Sequence, residues 1–467
     1  RGLGDVYKRQ RRRIAGVETE YGIACLSNGK QCLTADDIAH RFFTPVIETY
    51  HSSNVFTRNG SRLYLDVGSH PEYATCECDS VDQLLTYIRA GDEEMNSLAI
   101  CAEENLARTA GSGDVYIFKN NTDASGHSFG SHENYLIERT DDFFRISQTL
   151  IPFLVTRQLI CGAGKVLRDP HTGQTSYRLS QRAEHVFDGV SSATTRSRPI
   201  INTRDEPLAD SSRYRRMHVI VGDSSMAEPT TALKLGSTLL ILEMLEEGIE
   251  VSDFYPQDPI DAIRIVSRGL DGQAPFLLKA GGTSTALEVQ RVFCTAAAHY
   301  LETRPTDEQT PRYRWTINLW NRTLDAVESG DLTPISRDID WVIKKSLLDR
   351  QRERYGVDYA DPRCAKLDLI YHDIRPGRGI FPLLESRGLI NRLTDPTEVE
   401  KARTVPPATT RANIRGQFVT HCLDSGVSFS ADWTHLKYAS SPSTEVELND
   451  PFESMTSEIK SFISHSG

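Results

Sequence analysis

The sequence predicts an α+β protein. Strand and helix patterns alternate through the first half of the chain, helical periodicity dominates after about residue 258, and no internal repeat or low-complexity tract interrupts either. The first ten residues, RGLGDVYKRQ, read as a non-native leader, because DVYKRQ is what one frame of a common sequencing adapter would encode. A native start is placed near Arg11. Residues 14–25, IAGVETEYGIAC, form a strand rich in β-branched and aromatic residues, with Glu18 and Glu20 on one face. Residues 35–50 form a short helix, or a helix pair broken near Pro45. RLYLDV, residues 62–67, alternates Arg62, Tyr64 and Asp66 with Leu63, Leu65 and Val67, then turns through Gly68 and Pro71 to Glu72.

Residues 80–109 form a long amphipathic helix, with Val81, Leu84, Leu85, Ile88, Met95, Leu98, Cys101 and Ala102 at helical spacing behind a cap at Asp79 or Ser80. Strands are expected over 114–121 and 132–139, joined by a glycine-containing loop, and a helix over 145–164 ending at glycine. Two more strands are expected over 177–183 and 217–223, and a buried helix over 232–248 that stops at Gly248. Helices follow over 259–270, 286–304, 313–330 and 339–356. The proline-containing stretch TVPPATTRA, residues 404–412, marks a boundary after residue 405. Beyond it come a helix over 413–425 and one strand within VSFSADWTHLKY.

The bulk numbers describe an ordinary globular chain, 39% hydrophobic and 25% charged. With 53 Lys+Arg against 64 Asp+Glu the net charge is −11, which argues against nucleic-acid binding over a broad basic face. The nine cysteines are scattered, and the one C-x-C, Cys76 and Cys78, has no partner pair at metal-ligand spacing. Free thiols and a cytoplasmic setting are expected. No run of 18 apolar residues exists, so no membrane span is expected either.

Residues spaced by two in a strand share a face, so Arg62, Tyr64 and Asp66 stand in a row. Burying three polar side chains unpaired is costly, so the face either lies open to water or meets a polar ligand. Glu18, Glu20 and Glu72 add carboxylates that repel unless something positive sits among them. Mg²⁺ bridging carboxylates to nucleotide phosphate answers that need. Arg62 and Thr75 suit phosphate oxygens, and neither a P-loop nor a kinase-type glycine loop is present. Asp66, at the edge of the group, is placed to take a proton from an incoming amine, whose pKa is near ~10.4 when free. FKNNTDASGHSFGSHENYL, residues 118–136, brings glycines plus His132, Glu133 and Asn134, although such a composition is more commonly a polar hairpin loop. Arg196, Arg198, Arg204, Arg213, Arg215 and Arg216 form an arginine group suited to clamping phosphate or carboxylate, or to surface ion pairs with Asp205 and Glu206. Arg198, Arg204 and Arg215 are the phosphate candidates within it. Trp433 offers adenine a stacking platform, though a lone tryptophan is more often core.

GVETEYG, SSNVFTRNGSRLYLDVGSHPEYATCECD, FKNNTDASG, SFGSHENYL, PFLVTRQLICGAGKV, LSQRAEHV, SSATTRSRPIINTRDEPLAD, RYRRMHVIVGDSSMAE and LDLIYHDI together resemble the Pup–protein ligase family, from about Arg11 to near the end. The resemblance implies a glutamine synthetase-like curved antiparallel sheet backed by helices over residues 11–405. It also implies a small C-terminal domain, 406–467, that contributes to the nucleotide site. It further implies Mg²⁺ ligands at Glu18, Tyr64 and Glu72, ATP contacts at Arg62, Thr75 and Trp433, and a proton acceptor at Asp66.

The implied reaction uses ATP to phosphorylate the γ-carboxylate of the C-terminal glutamate of Pup, a small ubiquitin-like protein, and joins it to substrate lysines. A link to a bacterial proteasome follows, with no nucleic acid and no membrane as partners. The sister depupylase carries a longer segment before the RLY strand and reads closer to R-L-Y-V-D-H-A-H-P-E-Y. The short connection from Glu20 to Arg62 and the sequence RLYLDVGSHPEY depart from both features. A small-molecule γ-glutamyl–amine ligase would need a closed amine pocket. A module that merely captures Pup would need no base at Asp66.

Overall fold

The computed structural model describes residues 12–66, 68–109, 112–123, 126–139, 143–169, 172–193, 198–251, 253–440 and 445–464. The expected leader, the start at Arg11, Val67 and Arg196 lie outside them.

The strands in chain order are β1 (Ala15–Glu20), β2 (Gly22–Ser27), β3 (Lys30–Gln31), β4 (Asn54–Phe56), β5 (Arg62–Leu65), β6 (Pro71–Ala74), β7 (Asp114–Phe118) and β8 (Ser131–Glu138). They continue with β9 (Lys165–Arg168), β10 (Thr175–Arg178), β11 (Asp188–Ser191), β12 (Pro199–Asn202) and β13 (Tyr214–Val219). Eight of these make one sheet, ordered β11-β12-β13-β8-β1-β6-β5-β4. All of its pairings are antiparallel except β11 with β12, which departs from the wholly antiparallel sheet expected.

One face of this sheet is apolar. Ala15 and Val17 of β1, Tyr135 and Ile137 of β8, and Met217 and Val219 of β13 join a core with residues such as Leu150, Phe153, Leu240 and Trp320 from the helices behind. The helix Glu228–Glu246 is buried along nearly its whole length, so it lacks a polar stripe. The long helix Val81–Thr109 covers β1 and part of a second cluster that includes Leu63, Tyr73, Met95 and Leu98.

Several expected elements divide differently. The strand expected over 14–25 is two strands. Its corner is Tyr21, whose N–H bonds Pro71 O at 2.8 Å and whose hydroxyl donates to Asp92 at 2.7 Å, so β1 stays in the large sheet and β2 joins β3 and β7. Helix Ala35–Tyr50 runs unbroken through Pro45, because Ile38, Phe42 and Phe43 before the proline and Val46 after it are buried on one face. The helix expected over 145–164 is two, Phe143–Thr156 and Gln158–Cys161. The strand expected over 177–183 ends at Arg178, because the Asp223 carboxylate captures the N–H groups of Gln181 and Arg182 at 3.1–3.2 Å. The strand expected over 217–223 is β13, ending at Val219.

After helix Ala412–Ser425, the expected single strand is a hairpin of Phe429–Ala431 and His435–Tyr438. Asp432 accepts the N–H of Thr434 and of His435, each at 2.7 Å, an Asx turn that lifts Trp433 onto the tip. Ile414, Phe418, Cys422, Leu436, Tyr438, Leu448 and Ile463 form a separate apolar cluster around this hairpin. No helix among the described residues is long and apolar enough to cross a membrane.

Candidate active site

The other face of the sheet is polar, and strand register determines what stands on it. Cross-strand partners share a face. Glu18 pairs with His132 on one side and Ala74 on the other, while Glu20 pairs with Glu72, which pairs in turn with Tyr64. His218 and Arg216 of β13 pair with Asn134 and Leu136 of β8. The face therefore gathers Glu18, Glu20, Arg62, Tyr64, Glu72, His132, Asn134, Arg216 and His218.

Two clusters of possible ligand groups form on it, the second of them wholly acidic. In the first, Glu18, His132 and His218 each offer a ligand atom within 4.8 Å of the others. Glu18 meets His132 Nδ1 at 3.0 Å, accepts from Asn134 Nδ2 at 3.1 Å, and lies 4.0 Å from Arg216. Burial works against the Glu18 charge, but the His132 hydrogen bond and the neighbouring cationic groups hold its carboxyl below the usual range. His218 gives little of that help at neutral pH, since burial pushes its own pKa to about 3 and leaves the ring neutral. Both His218 ring nitrogens are buried without a hydrogen-bond partner among the described residues.

In the second centre, Glu20, Asp66 and Glu72 lie within the same 4.8 Å limit. Asp66 has left β5 and begins a turn, its N–H bonded to His70 O at 3.0 Å, so its half-buried side chain comes to the rim of the face. Burial pushes the Glu72 carboxyl well up, and the Glu18 and Glu20 charges push it further, although Tyr64 donates to it. No ion pair within 4.0 Å relieves Glu20, Asp66 or Glu72 among the described residues. Three crowded carboxylates and a neutral, unpartnered histidine nearby are a donor set that fits divalent cations. The site is tightly closed on one side. A Cβ at Gly130 would fall 2.4 Å from His132 Nε2 and 2.6 Å from Glu20 Oε1, so any side chain there would displace these two groups.

Beside these centres a cleft of about 250 Å³ is lined by Gly16, Glu18, Arg62, Tyr64, Thr75, Glu77, Arg216 and Trp433, among others. Arg62 is steadied by Asn54 Oδ1 at 2.9 Å and lies 4.2 Å over the Tyr64 ring. The Thr75 hydroxyl accepts the Val17 N–H at 3.0 Å, which fixes its oxygen and leaves its proton to donate. Trp433 closes the far wall, with the Phe56 ring edge-on at 4.9 Å.

The structure thus brings together Glu18, Glu20, Arg62, Tyr64, Asp66, Glu72, Thr75, His132 and Trp433. Four sequence candidates are not among them. Glu133, one residue out of phase with His132, points into the core, where it is fully buried and paired to Arg157 at 2.7 and 2.9 Å. Arg215 is out of phase with Arg216 and lies 3.8 Å over the Phe143 ring. Arg204 is exposed and pairs with Glu206 at 2.8 Å. Arg198, at φ 35°, sets its charge against Arg182 and His185. The sequence pattern does not single out His218, Glu77, Arg411 or Arg415, and it offers Asn134 and Arg216 only as members of a group. Strand parity was the signal that separates Arg216 and His218 from Arg215.

The family described as Pup-ligase protein matches residues 13–437. Pup–protein ligases of Mycolicibacterium vanbaalenii and Mycobacteroides abscessus are each 52% identical over 452 residues, covering 97% of this chain and 99% of theirs. Among solved structures, the complex between Pup and its ligase PafA has a TM-score of 0.93 at 46% identity, covering 97% of this chain and 92% of that one. PafA in complex with ADP has a TM-score of 0.84 at 48% identity, covering 94% and 95%. The α+β fold is theirs, and the chain belongs to the Pup-ligase family.

Proposed function

We propose that the protein is an ATP-dependent ligase that joins the C-terminal glutamate of Pup to lysine side chains of other proteins. The observation that carries this reading is one short stretch of backbone. Arg62 and Tyr64 of β5 and Asp66 just beyond it set a guanidinium, a carboxylate-bonded phenol and a rim carboxylate in a row beside the cleft. A PafA structure holding ADP and another holding Pup support the nucleotide and the partner.

In this reading Arg62, Thr75 and Trp433 bind the nucleotide, with Arg216 as a further cation at the same wall. Glu18, Tyr64 and Glu72, with Glu20 and His132 beside them, would hold Mg²⁺, which when bound supplies charge neutralisation at the phosphoryl group in flight. The γ-carboxylate of Pup takes the terminal phosphoryl of ATP, which turns a poor leaving group into phosphate. Asp66 then accepts the proton of the lysine ammonium, and the free amine attacks the acyl carbon and expels phosphate. Residues 11–405 act as the catalytic domain and 406–467 as a small domain that brings Trp433. Marking for a bacterial proteasome is the fate we assign to the conjugates.

The test uses the full chain with ATP, Mg²⁺, a Pup ending in glutamate and a lysine-bearing protein, read by mass spectrometry. An isopeptide conjugate is expected, and excess EDTA is expected to abolish it. Cleavage of pre-made conjugate without net ligation would instead assign a depupylase. ATP turnover without either product would assign a small-molecule ligase.

A further inference from the structure

The turn that carries Trp433 is held to the sheet largely through one guanidinium. Arg415, on helix Ala412–Ser425, is completely buried. Its Nε donates to Gly60 O at 3.1 Å, its Nη1 to Trp433 O at 3.0 Å, and its Nη2 to the Glu77 carboxylate. Its central carbon lies 4.9 Å from the Phe56 ring centroid and 4.9 Å from that of Trp433. Three acceptors on three different segments and two aromatic contacts are therefore satisfied by one flat group.

Glu77 lines the nucleotide cleft and is gripped a second time, by Arg411 Nε at 2.7 Å. Arg411 in turn donates to Leu448 O and Leu208 O, each at 2.6 Å. Phe56 is the register partner of Arg62. The strand pair that presents the nucleotide arginine thus also supports the tryptophan through Arg415.

We propose that Arg415 is a positioning residue for nucleotide binding, fixing both the backbone and the ring of Trp433 at the cleft wall. It acts through Trp433, and so the inference rests on the reading of Trp433 as the adenine platform. Lysine keeps the charge but has neither the planar fork nor a face to lie along the rings, so it cannot hold the three acceptors and both rings at once.

The experiment is a double-mutant cycle on the full chain: wild type, Arg415→Lys, Trp433→Ala and the double variant. The readouts are equilibrium ADP binding and ATP-dependent conjugation kinetics. Trp433→Ala is expected to weaken ADP binding by roughly tenfold or more, the loss typical of a base–aromatic stack. Arg415→Lys is expected to cause a loss of similar size, and to raise KM for ATP by a larger factor than it lowers kcat. The double variant is expected to bind ADP no more weakly than Trp433→Ala alone.

Additive losses would mean that Arg415 acts independently of Trp433, and would overturn the inference while leaving the platform in place. An unchanged ADP affinity in Trp433→Ala would instead remove the platform, and the inference with it. Should Arg415→Lys fail to fold, Phe56→Leu removes only the supporting ring. The same non-additive loss is then expected, and an additive effect or none would overturn the proposal.

Discussion

Asp66→Asn is expected to stop conjugation while leaving the first half of the reaction running. The loss in the rate of isopeptide formation should be about 10²–10⁴-fold, the usual contribution of a positioned general base. Asparagine keeps the shape of the side chain at the start of the turn and the Asp66 N–H to His70 O bond of 3.0 Å. It cannot accept a proton, and a lysine ammonium with a free pKa near ~10.4 stays charged and unreactive without an acceptor. Asp66 also stands within 4.8 Å of Glu20 and Glu72, so the loss must be separated from damage to the acidic centre. ADP formed in the presence of Pup makes that separation. It should persist in Asp66→Asn as the acyl phosphate forms and hydrolyses. Conjugation near the wild-type rate would dismiss Asp66 as the base, and loss of ADP formation would reassign it to the acidic centre.

Glu133→Ala is expected to be among the most destabilising single changes in the chain. Glu133 takes two hydrogen bonds from Arg157 and one from the Tyr135 hydroxyl at 2.6 Å, all fully buried. Removing the carboxylate leaves the Arg157 guanidinium, which is 2% exposed, without its counter-charge, and only Thr238 Oγ1 at 2.6 Å and Lys234 O at 3.5 Å still accept from its Nη1. Breaking a buried pair in this way costs about 3–5 kcal/mol. A shift of the urea midpoint at unchanged slope measures it, and a shift typical of a surface site would refute the assignment.

The same pair has a pH signature. Burial opposes the Glu133 charge, but Arg157, then Lys234, hold its carboxyl below the ordinary carboxylate range. A depressed acid contributes stability that is present above the unfolded pKa of about 4.3 and is lost as pH falls through the lower folded value. Below that unfolded value, the wild-type stability should therefore fall more steeply with pH than that of Glu133→Gln.

Glu133 also marks where the sequence stops being legible. HENYL offers histidine, glutamate and asparagine in a row, and composition treats them alike. Only the pairing of β8 with β1 decides that His132 and Asn134 face the site while Glu133 faces Arg157. RLYLD could be read because polar and apolar residues alternate within a single strand. RYRRMHV could not, since Arg215 and Arg216 differ only in phase and β13 had first to find β8. The corner at Tyr21 and the early end of the strand at Arg178 are set by distant partners, Pro71 and Asp223, that no local pattern announces. Helix Ala35–Tyr50 passes Pro45 for a similar reason, as its buried face outweighs the missing N–H. Trp433 was visible as an aromatic in a polar turn, but the guanidinium that holds it was not.

The Glu77–Arg415 contact spans 338 positions of chain. Closing a loop of that size costs entropy that grows with its length and is recovered only when the ends meet. On the ribosome the sheet, the acidic face and the cleft floor are all made well before Arg411, Arg415 and Trp433 leave the exit tunnel. At about 5–20 residues per second, many seconds pass with the cleft floor complete and its far wall absent. The cleft is thus closed late, only once the segment that carries Trp433 has been synthesised and has met Glu77 across the chain.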